Sequence, residues 1–155
     1  MPLTSPHVRN DVPTALNAIA YVSRAKEGLA PERVARIVTD ATEFNRGNDI
    51  SGALIFDGTC FFQYIEGRRV ALADAYARIQ ASRSHVILLK LLEGPAPARR
   101  FEGWEMFYRD GMPSGIGGLN WAPGREPSGD FRRDLVASAL AYFWRNFEAE
   151  SLPTR

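Results

Sequence analysis

The sequence predicts an α+β fold, a ferredoxin-like βαββαββ sandwich with a C-terminal helical extension packed on the other sheet face. Three observations support it. Strand-like and helix-like apolar periodicities alternate over residues 16–110, an Asp57-Gly58 pair separates two β-rich runs, and a Gly/Pro-rich stretch precedes a last helical segment. The 155 residues favour one such domain. We expect its two helices on one face of the sheet.

The first two elements are a strand and a helix. The run "LNAIAYVSRA", which begins at Leu16, is typical of a buried strand. A helix follows over "PERVARIVTDATEFNRG", because Pro31 suits a first helical turn and Gly47 is a stop signal.

A β-hairpin is expected around Asp57-Gly58, since this pair between two β-rich runs is a strong hairpin signal. The two runs are "ISGALIF" and "TCFFQYIE". If the pair forms a two-residue turn, Gln63 lies opposite Gly52 and Phe61 lies opposite Leu54. A residue without a side chain opposite a buried amide would leave room for a ligand.

The second half adds a helix over "VALADAYARIQ", a strand over "HVILLKLLE" and a final strand over "RFEGWEMFYR". From Gly111 to Asp130, nine of twenty residues are Gly or Pro, which predicts a linker. The run "DFRRDLVASALAYFWRNFEAE" predicts a last helix, capped by Ser128 or Asp130. The expected divisions are a tail over 1–15, the domain over 16–110, the linker over 111–129, the helix over 130–149 and a tail over 150–155.

The last helix carries a broad apolar arc that needs a covering surface. The arc consists of Phe131, Leu135, Leu140, Tyr142, Phe143, Trp144 and Phe147. Alternation places Ala53, Phe62 and Tyr64 on the sheet face away from the first two helices. Packing of the helix on that face is one interpretation, and a dimer or partner contact is the other; both can hold.

Composition excludes several classes of protein. The formal net charge is +1 with interspersed signs, so nucleic-acid and membrane binding are not expected. Cys60 is the only cysteine, which rules out an intramolecular disulfide and argues against a thiolate metal site. No apolar run resembles a signal peptide or a membrane span, so a cytoplasmic location is expected.

Two carboxamides are predicted to point towards the same interior. Gln63 lies within the apolar strand "CFFQYIEG", where each unmade amide hydrogen bond costs roughly 1–3 kcal/mol. Asn45 ends an apolar helical stripe formed by Val34, Val38 and Ala41. A lone Asn at this place is usually a helix cap. A binding role for Asn45 is inferred only because Gln63 is predicted to point towards the same interior.

Other polar and aromatic side chains fall on faces that meet in this fold. Tyr21 shares a strand face with Ser23, and Trp104 shares a face of the final strand with Met106. Carboxamides offer both donors and acceptors, which suits the edge of a heteroaromatic ring. Because no activated Ser/His pair and no paired inward carboxylates are apparent, we do not expect an enzyme.

These residues resemble a known family. The segments "AIAYVSRA", "EFNRGNDISGALIFDGTCFFQYIEG" and "RRFEGWEMF", in this order, resemble the BLUF family of small flavin-binding blue-light sensors over Leu16 to Tyr108. The resemblance implies a ferredoxin-like sandwich with an isoalloxazine ring between the two helices. It also implies FAD as the usual cofactor, with FMN as the alternative.

The resemblance also implies roles for particular residues. Tyr21 matches the photoactive tyrosine, which gives an electron and a proton, and Gln63 matches the glutamine that rearranges its amide. The implied cofactor contacts are Tyr21, Ile37, Asn45, Leu54, Phe61, Gln63 and His85, and the implied signal relay is Trp104, Met106 and Ser23. The changed Gln63 hydrogen bond would shift the flavin absorption to the red.

This sequence departs from the family pattern at one edge of the implied site. The run before His85 is "SRSH", with Ser82 and Ser84 where an Asp-x-Arg-His run is common. Phe44 stands where a polar neighbour of the asparagine is common. We therefore expect an unusual flavin affinity or dark-recovery rate, and no phosphate contacts are assigned.

The main alternative is a cofactor-free protein-interaction domain of ferredoxin-like fold. A LOV-like photoreceptor using Cys60 is disfavoured because that residue is out of phase with Gln63. An acylphosphatase-like hydrolase using Arg24 and Asn45 lacks a glycine-rich phosphate loop. An RNA-binding module using Phe62 and Tyr64 as stacking platforms lacks a basic surface. With no room for an output domain after its last helix, the chain is expected to signal through a downstream protein or its own homo-oligomer.

Overall fold

The structure, a computed structural model, describes residues 15–111 and 128–151. Their elements are β1 Leu16–Ala25, α1 Pro31–Gly47, β2 Ser51–Phe56, β3 Cys60–Arg68, α2 Arg69–Gln80, β4 His85–Pro95, β5 Phe107–Asp110 and α3 Gly129–Ser151. The strands form one sheet in the order β4-β1-β3-β2-β5. Neighbouring strands are antiparallel except β2 and β5, which are parallel. This is the predicted ferredoxin-like sheet with β5 added at one edge.

The sheet has two covered faces. Helices α1 and α2 cover one face, which we call the cavity face; its buried residues include Ile19, Phe61 and Ile65. Helix α3 covers the other face, here the α3 face, which carries Ala53, Phe62 and Tyr64 as predicted. Of the α3 side chains that the structure describes, four are buried against that face: Leu135, Ala139, Leu140 and Phe143. Packing of the C-terminal helix on the sheet is confirmed, and a dimer or partner contact stays a prediction.

Helix α3 is capped by one of its two candidate residues. The Ser128 hydroxyl oxygen accepts the backbone N–H of Phe131 at 3.1 Å, so Ser128 is the cap, and the helix begins at Gly129. Residues 112–127, most of the predicted linker, lie outside the described residues. So do 1–14 and 152–155, which belong to the predicted tails.

The register predicted for the β2–β3 hairpin is wrong by two residues. Gln63 pairs with Leu54, and Gly52 pairs with Ile65. The faces are unchanged because side chains alternate with a period of two. A Cβ at position 52 would come within 2.2 Å of the Tyr64 carbonyl oxygen, so Gly52 allows close backbone approach to β3 and is not the source of the space beside Gln63.

The hairpin turn explains the shift in register. Three residues, Asp57 to Thr59, connect the strands instead of an Asp57-Gly58 turn. The Asp57 carboxylate accepts the N–H groups of Thr59 and Cys60 at 2.9 and 2.7 Å, and Gly58 adopts a φ of 98°. Asp57 therefore anchors the turn from its first position.

The predicted final strand is also shorter than expected. β5 begins only at Phe107, and the preceding residues form a loop, 99–106, that Glu66 holds. The Glu66 carboxylate accepts the N–H groups of Arg100 and Phe101 at 2.8 and 2.7 Å, and the Ser51 hydroxyl at 2.8 Å. Since these N–H groups bond to a buried carboxylate, they are not available to a strand ladder. Sequence reasoning did not single out Glu66.

Candidate functional site

A cavity of about 240 Å³ lies between the cavity face and helices α1 and α2. The seven residues that the sequence predicts as cofactor contacts all line it: Tyr21, Ile37, Asn45, Leu54, Phe61, Gln63 and His85. They come from β1, α1, β2, β3 and β4. The fold therefore brings together residues that are spread over more than sixty positions of the sequence.

Tyr21 and Gln63 form a direct pair at the inner end of this cavity. They are cross-strand neighbours on β1 and β3, and the Tyr21 hydroxyl donates a hydrogen bond to Gln63 Oε1. Both side chains are buried. Burial, and to a smaller extent the neighbouring Tyr76, raises the pKa of Tyr21 well above its usual range, so the phenol keeps its proton.

The other end of the Gln63 amide has a weak partner. Its Nε2 donates to the thioether sulfur of Met106 at 3.8 Å. A thioether is a weak acceptor, and a primary amide has two N–H groups to satisfy. The donor end of Gln63 is thus under-satisfied at a place where the cavity offers room for a better acceptor.

Asn45 contacts loop 99–106. Its Nδ2 donates to the carbonyl oxygen of Glu105 at 2.7 Å, and the side chain is 3% exposed. Its backbone carbonyl, not its side chain, serves the helix end by accepting the N–H groups of Asn48 and Ile50. The side-chain Oδ1 stays available on the cavity wall. The two cavity amides therefore contact the consecutive residues Glu105 and Met106.

His85 and Ser23 form a second buried pair beside Tyr21. The His85 Nδ1 and Ser23 hydroxyl lie 2.8 Å apart, and the Tyr21 and His85 rings stack at 6.5 Å with an interplanar angle of 16°. Burial lowers the pKa of His85 below its usual value, which favours the neutral imidazole. A neutral ring presents one donor and one acceptor nitrogen.

The expectation that Trp104 and Met106 share a strand face is wrong. Met106 packs on the cavity face beside Gln63. Trp104 lies in loop 99–106, is 38% exposed and stacks on Phe107 at 4.4 Å. Phe107 belongs to the α3-face cluster. The two residues separate because loop 99–106 bends where a strand was predicted.

The cavity also has lining residues that sequence reasoning missed. Arg33, Arg36 and Arg78 line it together with Asp40. Helical periodicity could have indicated Arg33 and Arg36, which follow one another at i, i+3 on α1 and precede Ile37. The contribution of Arg78 depends on how α2 lies relative to α1, which no local pattern predicts.

In this fold, residues that three alternative functions require are buried or lie outside the cavity. Cys60 is buried in the α3-face cluster, across the sheet from the cavity, and burial raises the pKa of its thiol. Phe62 and Tyr64 are at most 1% exposed and cannot stack on RNA bases. Arg24 does not line the cavity that contains Asn45. In the described ranges, no cluster of three or more metal-ligating side chains occurs.

Comparison with known proteins decides the family. A family model described as "BLUF: Sensors of blue-light using FAD" matches residues 16–107. The chain belongs to the BLUF family. It is similar to the blue light- and temperature-regulated antirepressor BluF of Escherichia coli K12, with 32% identity over 94 residues, 59% of this chain and 23% of that protein. The chain thus spans about a quarter of the length of this curated relative.

Solved BLUF structures share the fold. BlrB, a BLUF protein in its dark state, has a TM-score of 0.60 and 27% identity, covering 78% of this chain and 84% of that one. Klebsiella pneumoniae BlrP1 with FMN and cyclic diGMP has a TM-score of 0.57 and 30% identity, covering 61% and 26%. These matches confirm the predicted fold class and the family of blue-light flavin sensors.

The cavity fits the flavin that BLUF domains use. The under-satisfied amide of Gln63 and the side-chain Oδ1 of Asn45 offer donors and an acceptor to a ring edge. Ile37, Leu54 and Phe61 supply apolar walls. Among the described helices, none is long and apolar enough to cross a membrane.

Proposed function

We propose that this chain senses blue light through a non-covalently bound flavin, with the Tyr21–Gln63 pair as the switch and without catalytic activity of its own. The observation that carries the proposal is the Tyr21–Gln63 hydrogen bond beside a cavity, combined with the weak thioether partner at the other end of the amide. Such an amide can change partners without changing its shape.

The cavity residues have different proposed roles. A bound isoalloxazine supplies the light absorption and the electron-accepting chemistry. Asn45 and Gln63 would hold its polar edge, and Ile37, Leu54 and Phe61 would supply apolar contacts. Tyr21 would supply one electron and its phenolic proton to this acceptor and would then take both back. Gln63 changes which end of its amide faces Tyr21, and the new hydrogen-bond pattern is the signal.

The signal leaves the site through loop 99–106. Both cavity amides contact this loop, at Glu105 and Met106, and its Phe101 stacks on Trp144 of α3 at 4.9 Å. A loop with contacts to both the cavity amides and α3 can pass a local change to a distant surface if it has two arrangements. We propose a downstream signalling protein, or a second copy of the chain, as the receiver; the cytoplasmic location stays a prediction.

Absorption spectroscopy of the purified protein tests the proposal. We expect a flavin spectrum that shifts slightly to the red under blue light and returns in the dark. Tyr21→Phe and Gln63→Leu should keep the flavin and lose the shift. Tyr76→Phe is the matched control, because Tyr76 packs edge-on against Tyr21 at 5.9 Å but does not line the cavity.

Three other outcomes would contradict parts of this proposal. Protein that stays colourless after incubation with FAD and FMN would leave a cofactor-free interaction domain. Loss of the blue band to a near-ultraviolet adduct would assign the chemistry to Cys60. A normal reversible red shift in Gln63→Leu would contradict the switch role given to that residue.

A further inference from the structure

The cavity has a neutral interior and a cationic rim. Gln63 and Asn45 are buried at its inner end, whereas the arginine side chains that line it are exposed. Arg33 and Arg36 belong to α1, and Arg78 belongs to α2. Among the residues that the structure describes, Asp40 is the only acidic one that lines the cavity, so these four side chains carry a formal charge of +2, although the whole chain carries only +1.

Arg33 is held at the rim by the serine run that departs from the family pattern. Its Nε donates to the Ser84 hydroxyl oxygen at 3.2 Å, and the Ser84 N–H donates to the Ser82 hydroxyl oxygen at 3.1 Å. This anchor uses Nε alone, so both Nη groups of Arg33 can donate to a ligand. A carboxylate in place of either serine would neutralise part of the rim; here neither position carries one.

Arg78 approaches the same opening from the other helix. Its guanidinium carbon lies 4.3 Å from the centre of the Phe44 ring, a cation–π contact that keeps the side chain at the cavity edge. Within residues 15–111 and 128–145, whose side chains the structure describes, none of the three rim arginines forms an ion pair. Guanidinium groups from two helices therefore flank one opening without a protein counter-charge in direct contact.

We propose that this arginine rim binds the phosphate group of a flavin nucleotide and makes unphosphorylated riboflavin a poor ligand. The inference rests on the proposed function, because it assumes that the ring occupies the inner cavity. Guanidinium groups match phosphate oxygens in geometry and charge, and such contacts are among the strong hydrogen bonds in proteins. Since the rim recognises the phosphate nearest the ring, FMN and FAD bind with similar affinity.

Equilibrium titration of the flavin-free full chain with riboflavin, FMN and FAD tests the proposal, with quenching of flavin fluorescence as the readout. We expect FMN to bind at least about tenfold more tightly than riboflavin. In Arg33→Gln/Arg78→Gln, the Kd for FMN should rise about tenfold, while the Kd for riboflavin changes less than about twofold. Unchanged riboflavin binding also shows that the variant is folded.

Arg83→Gln is the matched control, because Arg83 is exposed and lies between the two serines but does not line the cavity. It removes the same charge and should leave all three affinities unchanged. Higher salt should weaken FMN binding to the parent protein and leave riboflavin binding unaffected.

The remaining outcomes distinguish a failure of the arginine rim from a failure of the light-sensing function. Riboflavin that binds as tightly as FMN, or a double variant with unchanged FMN affinity, would overturn the arginine rim and leave the light-sensing function in place. Failure of all three flavins to bind would overturn both.

Discussion

The two faces of the sheet satisfy their buried polar side chains differently. On the α3 face, the Glu66 carboxylate accepts hydrogen bonds from Ser51, Arg100 and Phe101, all at 2.7–2.8 Å. On the cavity face, Gln63 of the same strand has only a sulfur atom for its amide nitrogen. A buried group satisfied by the protein belongs to the architecture, whereas an under-satisfied group beside a cavity marks a ligand site.

The two faces also differ in how completely their interiors are filled. On the α3 face, the Phe101 ring stacks on Trp144 at 4.9 Å and meets Phe143 edge-on at 5.7 Å. The cavity face also has a close aromatic contact, between Phe56 and Phe61 at 4.4 Å, but it encloses about 240 Å³ of open volume. We therefore expect the α3 face to dominate the stability of the flavin-free protein and the cavity face to gain stability from its ligand.

The largest expected effect is the loss of the Phe143 ring, which is fully buried between α3 and the sheet. Phe143→Ala should lower the free energy of unfolding by about 3–5 kcal/mol, as measured by urea denaturation of the flavin-free protein. Phe44→Ala, in the half-buried wall of the cavity, should cost about 1 kcal/mol or less. Equal costs for the two variants would remove the proposed contrast between the faces.

The second largest effect is expected at Glu66, because both oxygens of its carboxylate accept hydrogen bonds. Glu66→Gln places an amide NH₂ against a backbone N–H or a hydroxyl whichever way the side chain is turned, because both Glu66 oxygens accept hydrogen bonds. We expect a loss of about 2–3 kcal/mol in urea denaturation. Glu93→Gln, at an exposed pair with Lys90, should cost less than about 0.5 kcal/mol. A similarly small cost for Glu66→Gln would show that the loop does not depend on the carboxylate.

The cavity face should tolerate the removal of its polar pair. Gln63→Leu alone leaves the buried Tyr21 hydroxyl without its acceptor and should cost about 1–3 kcal/mol in flavin-free protein. Tyr21→Phe/Gln63→Leu removes both partners and should lie within about 1 kcal/mol of the parent. A double variant much less stable than either single variant would mean that the pair is structural.

The smallest effect is a pH dependence at His85. Burial holds its pKa below the ordinary value of 6.5, so the unfolded chain binds the proton more readily than the folded one. The resulting stabilisation is complete above pH 6.5 and is lost as the pH falls from there towards the folded pKa. Urea midpoints measured across this range should fall with pH in the parent and fall less in His85→Gln. Identical slopes would assign the pH dependence to other groups.

The sequence was most informative where local periodicity decides orientation. Alternation on β1 and β3 correctly placed Tyr21 and Gln63 on one face and Phe62 and Tyr64 on the other. The helical period correctly aimed Asn45 inward. These assignments depend only on the repeat of each element, so they survive even a hairpin register that is wrong by two residues.

Features set by tertiary contacts escaped prediction. The loop that separates Trp104 from Met106 is hydrogen-bonded to Glu66, which lies far away in the sequence and looks like an ordinary strand-end residue. The rim formed by Arg33 and Arg78 depends on the distance between two helices that only the sheet positions. No short-range pattern encodes either arrangement.

The aromatic stacks on the α3 side have a practical consequence. Trp104 stacks on Phe107, and Trp144 stacks on Phe101, so both indoles rest against residues in or next to loop 99–106. Indole emission is sensitive to its contacts, which makes these two side chains native optical reporters of loop movement. A light-dependent change in tryptophan fluorescence that persists in Trp121→Phe could therefore follow the output of this domain without a label.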